Sequence, residues 1–228
     1  MDKVQKVLLA FTFCATALFG ATKHGERMED AVTVLEEVMA APDKGIPQDL
    51  LNKAQCVVIV PGLKKAAFIF GARYGKGYVT CRQESGVGWS APATVRVEGG
   101  SFGLQLGATE TDVIMLVMNH SGADKLMASK FTLGGTVQAA AGPVGRTLAA
   151  DTDAFMRAEI LSYSRSRGLF AGVALQGATL RADLDANKAL YQQRLTTEEI
   201  VRDSEVKPTP EGEKLLLMLS KYAPGGLG

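Results

Sequence analysis

The feature that most constrains this sequence is a change of periodicity between its middle and its two ends. From Cys56 to Ala182 short apolar runs follow one another, and most are bounded by glycine or other turn-forming residues. Runs of this kind are typical of β-strands. The flanking segments instead repeat their apolar residues at helical spacing. The sequence therefore predicts an α+β protein with a sheet in the middle and helices at both ends.

Glycines inside the predicted strands indicate the shape of that sheet. Gly103 and Gly107 are four residues apart, as are Gly168 and Gly172, so each pair is expected on one face of a strand. Glycine weakens a strand and often marks a bend or a close approach of two backbones. We therefore expect a strongly curved antiparallel sheet, barrel-like at its extreme, with helices over its open face or its ends.

The bounds of the elements are predicted from the same patterns. Helices are expected over residues 26–41, 47–54, 123–128 with Ser121 as N-cap, 185–194, from Thr196, and from Pro210. Strands are expected over residues 56–60, 66–74, 77–82, 89–97, 101–108, 112–119, 132–141, 155–164 and 169–182. In this scheme Pro61-Gly62 ends a strand, Gly75-Lys76-Gly77 is a turn, and Thr196 with Glu199 forms a capping box.

Residues 1–20 have the make-up of an export signal. Lys3 and Lys6 give a positive start, an uncharged and largely apolar stretch of 13 residues runs from Val7 to Phe19, and small residues follow. This stretch is shorter than the roughly 20 residues that a transmembrane helix needs. We expect residues 1–20 to be a signal peptide and residues 21–228 to form one periplasmic or secreted domain, with a retained N-terminal anchor as the alternative.

The charge balance excludes a nucleic-acid binder of the usual kind. The chain has 25 basic and 24 acidic residues, and without residues 1–20 it has 23 of each. Nucleic-acid-binding domains normally carry a marked basic excess. Any attraction to an anionic surface must therefore come from a local patch.

The sequence offers little for catalysis or metal binding. It has two histidines, His24 and His120, and no CxxC motif. We therefore predict no enzyme activity, no metal and no cofactor. Cys56 and Cys81 can pair in an oxidising compartment, but each lies in an apolar run, so we expect buried free thiols.

Basic residues are grouped around the first predicted hairpin and around a second turn near residue 166. Arginine suits bidentate binding of phosphate, and apolar neighbours such as Tyr163 or Phe170 can enter the lipid boundary. Taken singly, each charge is also explained as a solvated turn residue. As a set, the candidate headgroup-binding residues are Lys64, Lys65, Arg73, Lys76, Arg146, Arg165 and Arg167.

Several of these segments resemble the SYLF family. The matching stretches are KAAFIFG at 65–71, WSAP at 89–92, GSFGLQLG at 100–107, FTLGG at 131–135, AAGPVGR at 140–146 and SYSRSRGLFAG at 162–172. The similarity runs from residue 26 to residue 222, which is nearly all of the chain after the predicted signal peptide.

The resemblance implies a single α+β domain that binds phospholipids, with phosphoinositides as the usual ligands of eukaryotic members. Some members also bind and bundle actin filaments. We therefore expect a non-enzymatic protein that recognises anionic phospholipid or phosphoinositide-type headgroups as a peripheral membrane protein. The alternatives are an actin-filament or protein-interaction module and, last, a lipid-processing enzyme.

The first helix departs from what the resemblance implies. In some members an N-terminal amphipathic helix inserts into the bilayer. Here the equivalent helix carries five acidic residues against Arg27 alone, whereas membrane-surface helices usually have a basic polar face. We expect this helix to pack on the sheet and not to bind lipid.

Overall fold

The structure is a computed structural model of the 228-residue chain. It describes residues 24–41, 45–67, 70–102, 107–144, 158–166, 169–173, 175–203 and 205–224. The predicted signal peptide lies outside these residues.

The middle of the described chain forms one sheet. Its strands are β1 (Cys56–Ala67), β2 (Phe70–Cys81), β3 (Ala93–Phe102), β4 (Gly107–Val117), β5 (Lys130–Thr132), β6 (Ala139–Ala141), β7 (Ile160–Ser166), β8 (Leu169–Gly172) and β9 (Thr179–Ala182). They lie in the order β5-β9-β3-β2-β1-β4-β7-β6, with β8 also paired to β7. The pairs are antiparallel except β6 with β7.

Helices precede the sheet, interrupt it and follow it. They are α1 (residues 24–39), α2 (Gln48–Lys53), α3 (His120–Met127), α4 (Leu184–Tyr191), α5 (Thr197–Val201) and α6 (Pro210–Tyr222). The Thr196–Glu199 capping box at the start of α5 is confirmed, with both halves formed. The N-cap of α3 is Asn119, not Ser121 as predicted, because the Asn119 side chain accepts the Gly122 N–H at 2.8 Å.

The sheet curls because its two edge strands are neighbours in sequence. A flat sheet in this order would hold β5 and β6 about 34 Å apart. Residues 133–138, which connect β5 to β6, can span only about 24 Å. The same connection is tightened by a bridge between Leu133 and Val137. The result is the strongly curled, half-barrel antiparallel sheet with terminal helices that the sequence predicts.

Each face of the sheet carries its own hydrophobic core. Side chains from both edges of the sheet, such as Phe131 of β5 and Ile160 of β7, meet Val58, Val79 and Met115 in one core. We call this the concave face, because opposite edges can share a core only on the inside of the curl. The alternate residues of the same strands, among them Val57, Ile59, Ile114 and Leu116, form the core of the convex face.

Helices α1 and α6 cover part of the convex face. Met28, Ala31, Leu35 and Val38 of α1 are fully buried there, and their spacing places them on one side of the helix. Leu215 and Leu219 of α6 belong to the same core. The prediction that the acidic first helix packs on the sheet is confirmed.

The predicted break at Pro61-Gly62 is wrong. These residues form a bulge inside the single long strand β1, at the point where its register shifts against both β2 and β4. Gly62 has a φ of 60°, which favours glycine, and its N–H donates to Asp112 Oδ1 at 2.9 Å. The Asp112 side chain thus satisfies a backbone group that the bulge takes out of the ladder.

The predicted Gly75-Lys76-Gly77 turn is also wrong. These residues lie in the middle of β2, where the bulged part of β1 comes very close. A Cβ atom on Gly77 would lie 2.0 Å from the Ile59 carbonyl oxygen. The glycines here serve a close approach of two strands, not a change of chain direction.

Four predicted strands each divide into two. The segments 66–74, 101–108, 132–141 and 169–182 contribute to β1 and β2, to β3 and β4, to β5 and β6, and to β8 and β9. Gly103 and Gly168 lie outside the described residues, so the predicted glycine pairs do not share a described strand. Gly172 nonetheless marks a close backbone approach, since a Cβ there would lie 2.1 Å from the Gly142 carbonyl oxygen.

The prediction of free thiols is wrong. Cys56 and Cys81 face each other on the paired strands β1 and β2 and form a disulfide. Both belong to the concave core, where they are at most 6 % exposed. An apolar surrounding is as compatible with a disulfide as with two thiols, and only the register of β1 against β2 decides between them.

Candidate functional site

The structure brings three of the predicted headgroup-binding residues together. Strands β1 and β2 form a hairpin. Near the end at which β1 leads into β2 it carries Lys64, Lys65 and Arg73. Lys76 lies further along β2 and is ion-paired with one carboxylate, whereas Arg165 lies on β7 and is ion-paired with two. Two further candidates, Arg146 and Arg167, fall outside the described residues.

We call Lys64, Lys65, Arg73 and Tyr74 the hairpin patch. Lys65 is the direct cross-strand partner of Arg73, and Lys64 is the partner of Tyr74. Side chains alternate along a strand, so the Lys65–Arg73 pair lies on the concave face and the Lys64–Tyr74 pair on the convex face. The end of the hairpin therefore presents positive charge on both of its faces.

Burial differs among the cations of the hairpin patch. Lys64 is exposed, whereas Lys65 and Arg73 are half-buried. Burial lowers the pKa of Arg73, and its Nε atom is buried without a hydrogen-bond partner in the described residues. Two like charges directly across a strand pair are unfavourable. The register nonetheless places Lys65 and Arg73 side by side at this end of the sheet.

Large apolar groups are exposed at the same end of the sheet. Tyr74 is 47 % exposed and Leu169, at the start of β8, is 63 % exposed. Leu63 of β1 pairs with Thr111 of β4, and the next residue of β4, Asp112, pairs with Arg165 of β7. Leu169 pairs with the residue that follows Arg165, so it lies at the same height along the sheet as the bulge of β1. Cations beside exposed apolar side chains are typical of surfaces that meet a lipid boundary.

Arg165 connects two strands to the first helix. Its Nε donates to Asp112 Oδ2 at 2.8 Å, and its guanidinium also contacts the Glu37 carboxylate of α1. The guanidinium lies 5.9 Å from the centre of the Phe170 ring. Two carboxylates therefore compensate this arginine, which makes it a structural tie in the described chain.

Lys76 is compensated by a single buried carboxylate. Its Nζ lies 2.7 Å from Asp183 Oδ2, and Asp183 is also the N-cap of α4. Burial acts to raise the pKa of Asp183, but the hydrogen bond and charge of Lys76 and the Ala186 N–H outweigh it, so the pKa is lowered. The pair connects β2 to the start of α4.

Four basic residues form a row straight across the convex face. The register pairs Lys76 with Arg96, Arg96 with Arg181, and Arg181 with Lys130, on β2, β3, β9 and β5. We call these four residues the cation row. The side chains of Lys76, Arg96 and Arg181 are 33 %, 34 % and 39 % exposed, and Lys130 is exposed.

Acidic compensation of the cation row is incomplete. Apart from Asp183, which pairs with Lys76, the ion pairs of the row involve Glu98: its oxygens lie 3.2 Å from Arg96 Nε and 3.5 Å from Arg181 Nε. Neither contact has hydrogen-bond geometry, and both Nε atoms are buried without a hydrogen-bond partner among the described residues. Glu98 thus compensates charge without satisfying the Nε donors.

The sequence reasoning missed Arg96, Arg181 and Lys130. A local signal does exist, because Arg96 stands between Val95 and Val97, and Arg181 between Leu180 and Ala182, as expected of outward-facing strand positions. That β9 lies between β3 and β5 is a long-range pairing that no local pattern indicates. The row is therefore visible only in the folded chain.

The described residues offer no metal centre. They contain no group of three or more His, Cys, Asp or Glu side chains able to hold a metal ion. Ser121 Oγ donates to Glu159 Oε1 at 2.6 Å, and the same carboxylate accepts Lys125 Nζ. Within this part of the chain we also find no helix with the length and apolar character needed to cross a bilayer.

Comparison with known proteins identifies relatives of this chain. Residues 98–222 match the family described as "Ysc84: Las17-binding protein actin regulator". The chain is 34 % identical over 211 residues to LAS seventeen-binding protein 3 of Saccharomyces cerevisiae, covering 91 % of this chain and 45 % of the relative. It is 34 % identical over 184 residues to SH3 domain-containing YSC84-like protein 1 of Xenopus laevis, covering 79 % and 54 %.

A third relative also matches most of this chain but less than half of its own length. An SH3 domain-containing protein of Schizosaccharomyces pombe is 37 % identical over 167 residues, which is 72 % of this chain and 38 % of the relative. The chain thus spans about half, or less, of the length of the curated relatives it matches. The description of the family and the name of the Saccharomyces cerevisiae relative refer to actin regulation and protein binding, which are non-enzymatic in kind.

Proposed function

Because this chain belongs to the Ysc84/SYLF family, we propose that it is a non-enzymatic protein that binds anionic phospholipid at a membrane surface. The observation that carries the proposal is the hairpin patch at one end of the sheet, where Lys64 lies across from the exposed Tyr74 on one face and Lys65 lies across from Arg73 on the other. A basic residue near an anionic membrane surface contributes about 1 kcal/mol of attraction. Three such residues with an amphipathic ring suffice for weak, reversible attachment.

We also propose that the protein works outside the cytoplasm, in the periplasm or as a secreted protein. The composition of residues 1–20 supports this, since it is that of a signal peptide. The Cys56–Cys81 disulfide adds independent support, because disulfides persist mainly in oxidising compartments. Expression with residues 1–20, followed by mass measurement of the exported product, tests the proposal directly.

Vesicle co-sedimentation tests the lipid-binding proposal. Phosphatidylcholine vesicles with increasing phosphatidylglycerol content should bind the protein increasingly. A variant with Lys64→Gln, Lys65→Gln and Arg73→Gln should bind at least ten-fold more weakly, because about 3 kcal/mol of surface attraction is removed. Tyr74→Ser should weaken binding as well by removing the apolar anchor.

The matched control removes three exposed positive charges elsewhere. Lys188→Gln, Arg194→Gln and Lys207→Gln change the net charge equally, at exposed positions outside the hairpin patch. This control should retain most of the binding. Equal losses in the two triple variants would leave only a net-charge effect and contradict the assignment of the patch. Absence of any binding to anionic vesicles by the folded protein would contradict the proposed function itself.

A second candidate function is filament or protein binding. It is favoured by the family description, which names an actin regulator, and by the Saccharomyces cerevisiae relative, named for binding another protein. Co-sedimentation with purified actin filaments in the absence of lipid tests it. Filament binding without vesicle binding would make this the better assignment, and vesicle binding alone would favour the first proposal.

A further inference from the structure

We propose that Arg96, Arg181 and Lys130 of the cation row form a binding site for a phosphate monoester on the convex face. The inference deepens the proposed function, on which it rests in taking the lipid headgroup as the expected source of that phosphate. The site contains no residue of the hairpin patch. Its three residues lie on strands β3, β9 and β5.

The charge arrangement is the first argument. Like charges placed directly across a strand pair are destabilising, yet the cation row places them so at three successive pairs. Asp183 compensates Lys76, so the remaining three cations share Glu98 and keep two positive charges in excess. Departures from local pairing rules of this kind are expected at functional sites.

The supply of hydrogen-bond donors is the second argument. Two guanidinium groups lie on adjacent strands, about 5 Å apart at their backbones, and the Nε–H of each is unsatisfied in the described structure. Arginine presents its donors in a planar fork that fits phosphate oxygens. On the next residue row of the same face, the Thr132 and Thr179 hydroxyls lie 3.3 Å from each other, and the hydroxyl that accepts in this pair keeps one further donor.

The excess charge and the number of hydrogen-bond donors indicate which ligand the site fits. A phosphate monoester carries close to two negative charges at neutral pH and three terminal oxygens, which matches the excess of two positive charges and the several donors around it. A phosphodiester, as in phosphatidylglycerol, carries a single charge. The site is therefore expected to distinguish a monoester from a diester.

The position of the site connects it to a membrane. Lys76 is two residues from Tyr74 on β2, so the cation row is the next row of convex-face side chains beyond Lys64 and Tyr74. Such rows are about 7 Å apart along a strand. A surface that meets the bilayer with Lys64 and Tyr74 would hold the cation row at the depth of headgroups.

The test compares two vesicle types of equal surface charge. Phosphatidylcholine vesicles contain either phosphatidic acid, which has a monoester, or phosphatidylglycerol, which does not. The wild-type protein should prefer phosphatidic acid, and the preference should grow as the pH rises through about 6, where the monoester takes its second charge. The double variant Arg96→Gln with Arg181→Gln should lose the preference, with about ten-fold to a hundred-fold weaker binding to phosphatidic acid vesicles.

A gain-of-function variant keeps the test independent of folding defects. Glu98→Gln removes the negative charge that competes with a bound phosphate for Arg96 and Arg181, so binding to phosphatidic acid vesicles should strengthen several-fold. If Glu98 serves only to hold the strands together, the same variant gains no affinity. The control Arg194→Gln with Lys207→Gln matches the double variant in charge and should keep the lipid preference.

Calorimetric titration with glycerol 3-phosphate distinguishes a free phosphate from a lipid headgroup. Binding as tight as that to vesicles would identify a soluble monoester as the ligand, and much weaker binding would identify the lipid. Equal binding to both vesicle types, with no response to Glu98→Gln, would overturn this inference while the proposed function stands. Failure to bind any anionic vesicle would contradict the proposed function, and the titration would then still decide whether the row binds a monoester.

Discussion

At the scale of single residues, Glu159 joins three parts of the chain that are distant in sequence. Its carboxylate accepts Ser121 Oγ and Lys125 Nζ of α3, the latter at 2.7 and 2.8 Å, and the Gln138 N–H at 3.0 Å. Burial acts to raise the pKa of Glu159, but these donors outweigh it, and the pKa is lowered below 4.5. The ionised carboxylate therefore stabilises the fold.

The first prediction concerns Glu159→Gln. It should lower the free energy of unfolding at pH 7 by about 2 kcal/mol, because charge-assisted hydrogen bonds are lost. A lowered folded-state pKa gives stability that is present above the unfolded pKa and lost as the pH falls through the folded pKa. The difference between wild type and variant should therefore shrink below pH 4.5. Urea denaturation at several pH values measures it.

The control replaces an exposed carboxylate that, like Glu159, is paired with a lysine. Glu29 contacts Lys214 at 3.0 Å, with both side chains 58 % exposed. Glu29→Gln should change stability by less than about 1 kcal/mol. A difference between wild type and Glu159→Gln that stays constant down to strongly acidic pH would show that ionisation of Glu159 contributes nothing.

At the scale of elements, the glycines of β2 decide how closely two strands can pack. Gly77 faces the backbone of Ile59 in β1, where a Cβ would lie 2.0 Å from the carbonyl oxygen. Gly100, in the neighbouring strand β3, would place its Cβ 3.8 Å from the nearest atom considered, the Gly71 carbonyl oxygen. Two glycines in neighbouring strands thus differ in what surrounds them.

The second prediction compares alanine at these two positions. Gly77→Ala should destabilise the protein by about 3 kcal/mol or more, since backbone must move to make room. Gly100→Ala should be neutral, or stabilising by up to about 1 kcal/mol, because it restricts the unfolded chain without a clash. Thermal unfolding of both variants checks the contrast, and equal effects would contradict the close approach at Gly77.

The third prediction concerns the disulfide between β1 and β2. Cys56 and Cys81 are 25 residues apart in sequence, and a cross-link over a loop of this length stabilises by roughly 3 kcal/mol in the chain-entropy description. Adding a reductant that reaches the bond should lower the denaturation midpoint of the wild type. The double variant Cys56→Ala with Cys81→Ala should be less stable and insensitive to reductant. A reductant effect that persists in the double variant would show a different cause.

Element types were largely predictable, and the exceptions have one physical origin. The continuous apolar run that contains Val57, Val58 and Ile59 and the helical spacing in α1 are local patterns, so both elements follow from the sequence. Pro61-Gly62 and Gly75-Lys76-Gly77 carry the usual composition of turns. They form a bulge and a strand interior because β1 and β2 pack against each other there, and a local pattern does not contain that contact.

At the scale of the whole molecule, one part of the candidate site follows from local sequence patterns and the other depends on contacts between distant strands. Lys64, Lys65 and Arg73 were predicted as one group because they are close in sequence, although the turn of their hairpin was predicted at Gly75-Lys76-Gly77 and not between Ala67 and Phe70. The cation row was not, because it depends on β9 pairing with both β3 and β5. Surfaces built from several distant strands become visible only when the sheet order is known.

The curl of the sheet also determines how lipid can bind. Met115, Leu133, Leu180 and Ile200 are buried together in the concave core, which draws on both edges of the sheet and on α5. Inserting an acyl chain there would require this core to open. We therefore expect lipid to be held from outside, by charge at the hairpin patch and by the ring of Tyr74.

The fourth prediction follows from this external mode of binding. Raising the ionic strength from about 0.1 M to about 1 M shortens the screening length from about 10 Å to about 3 Å. Binding of the wild type to phosphatidylglycerol vesicles should then fall at least ten-fold and recover on dilution. In the Tyr74→Ser variant the salt-resistant remainder should disappear. Vesicle binding that resists salt, with lipid retained by the purified protein in native mass spectrometry, would instead show an acyl chain inside the fold.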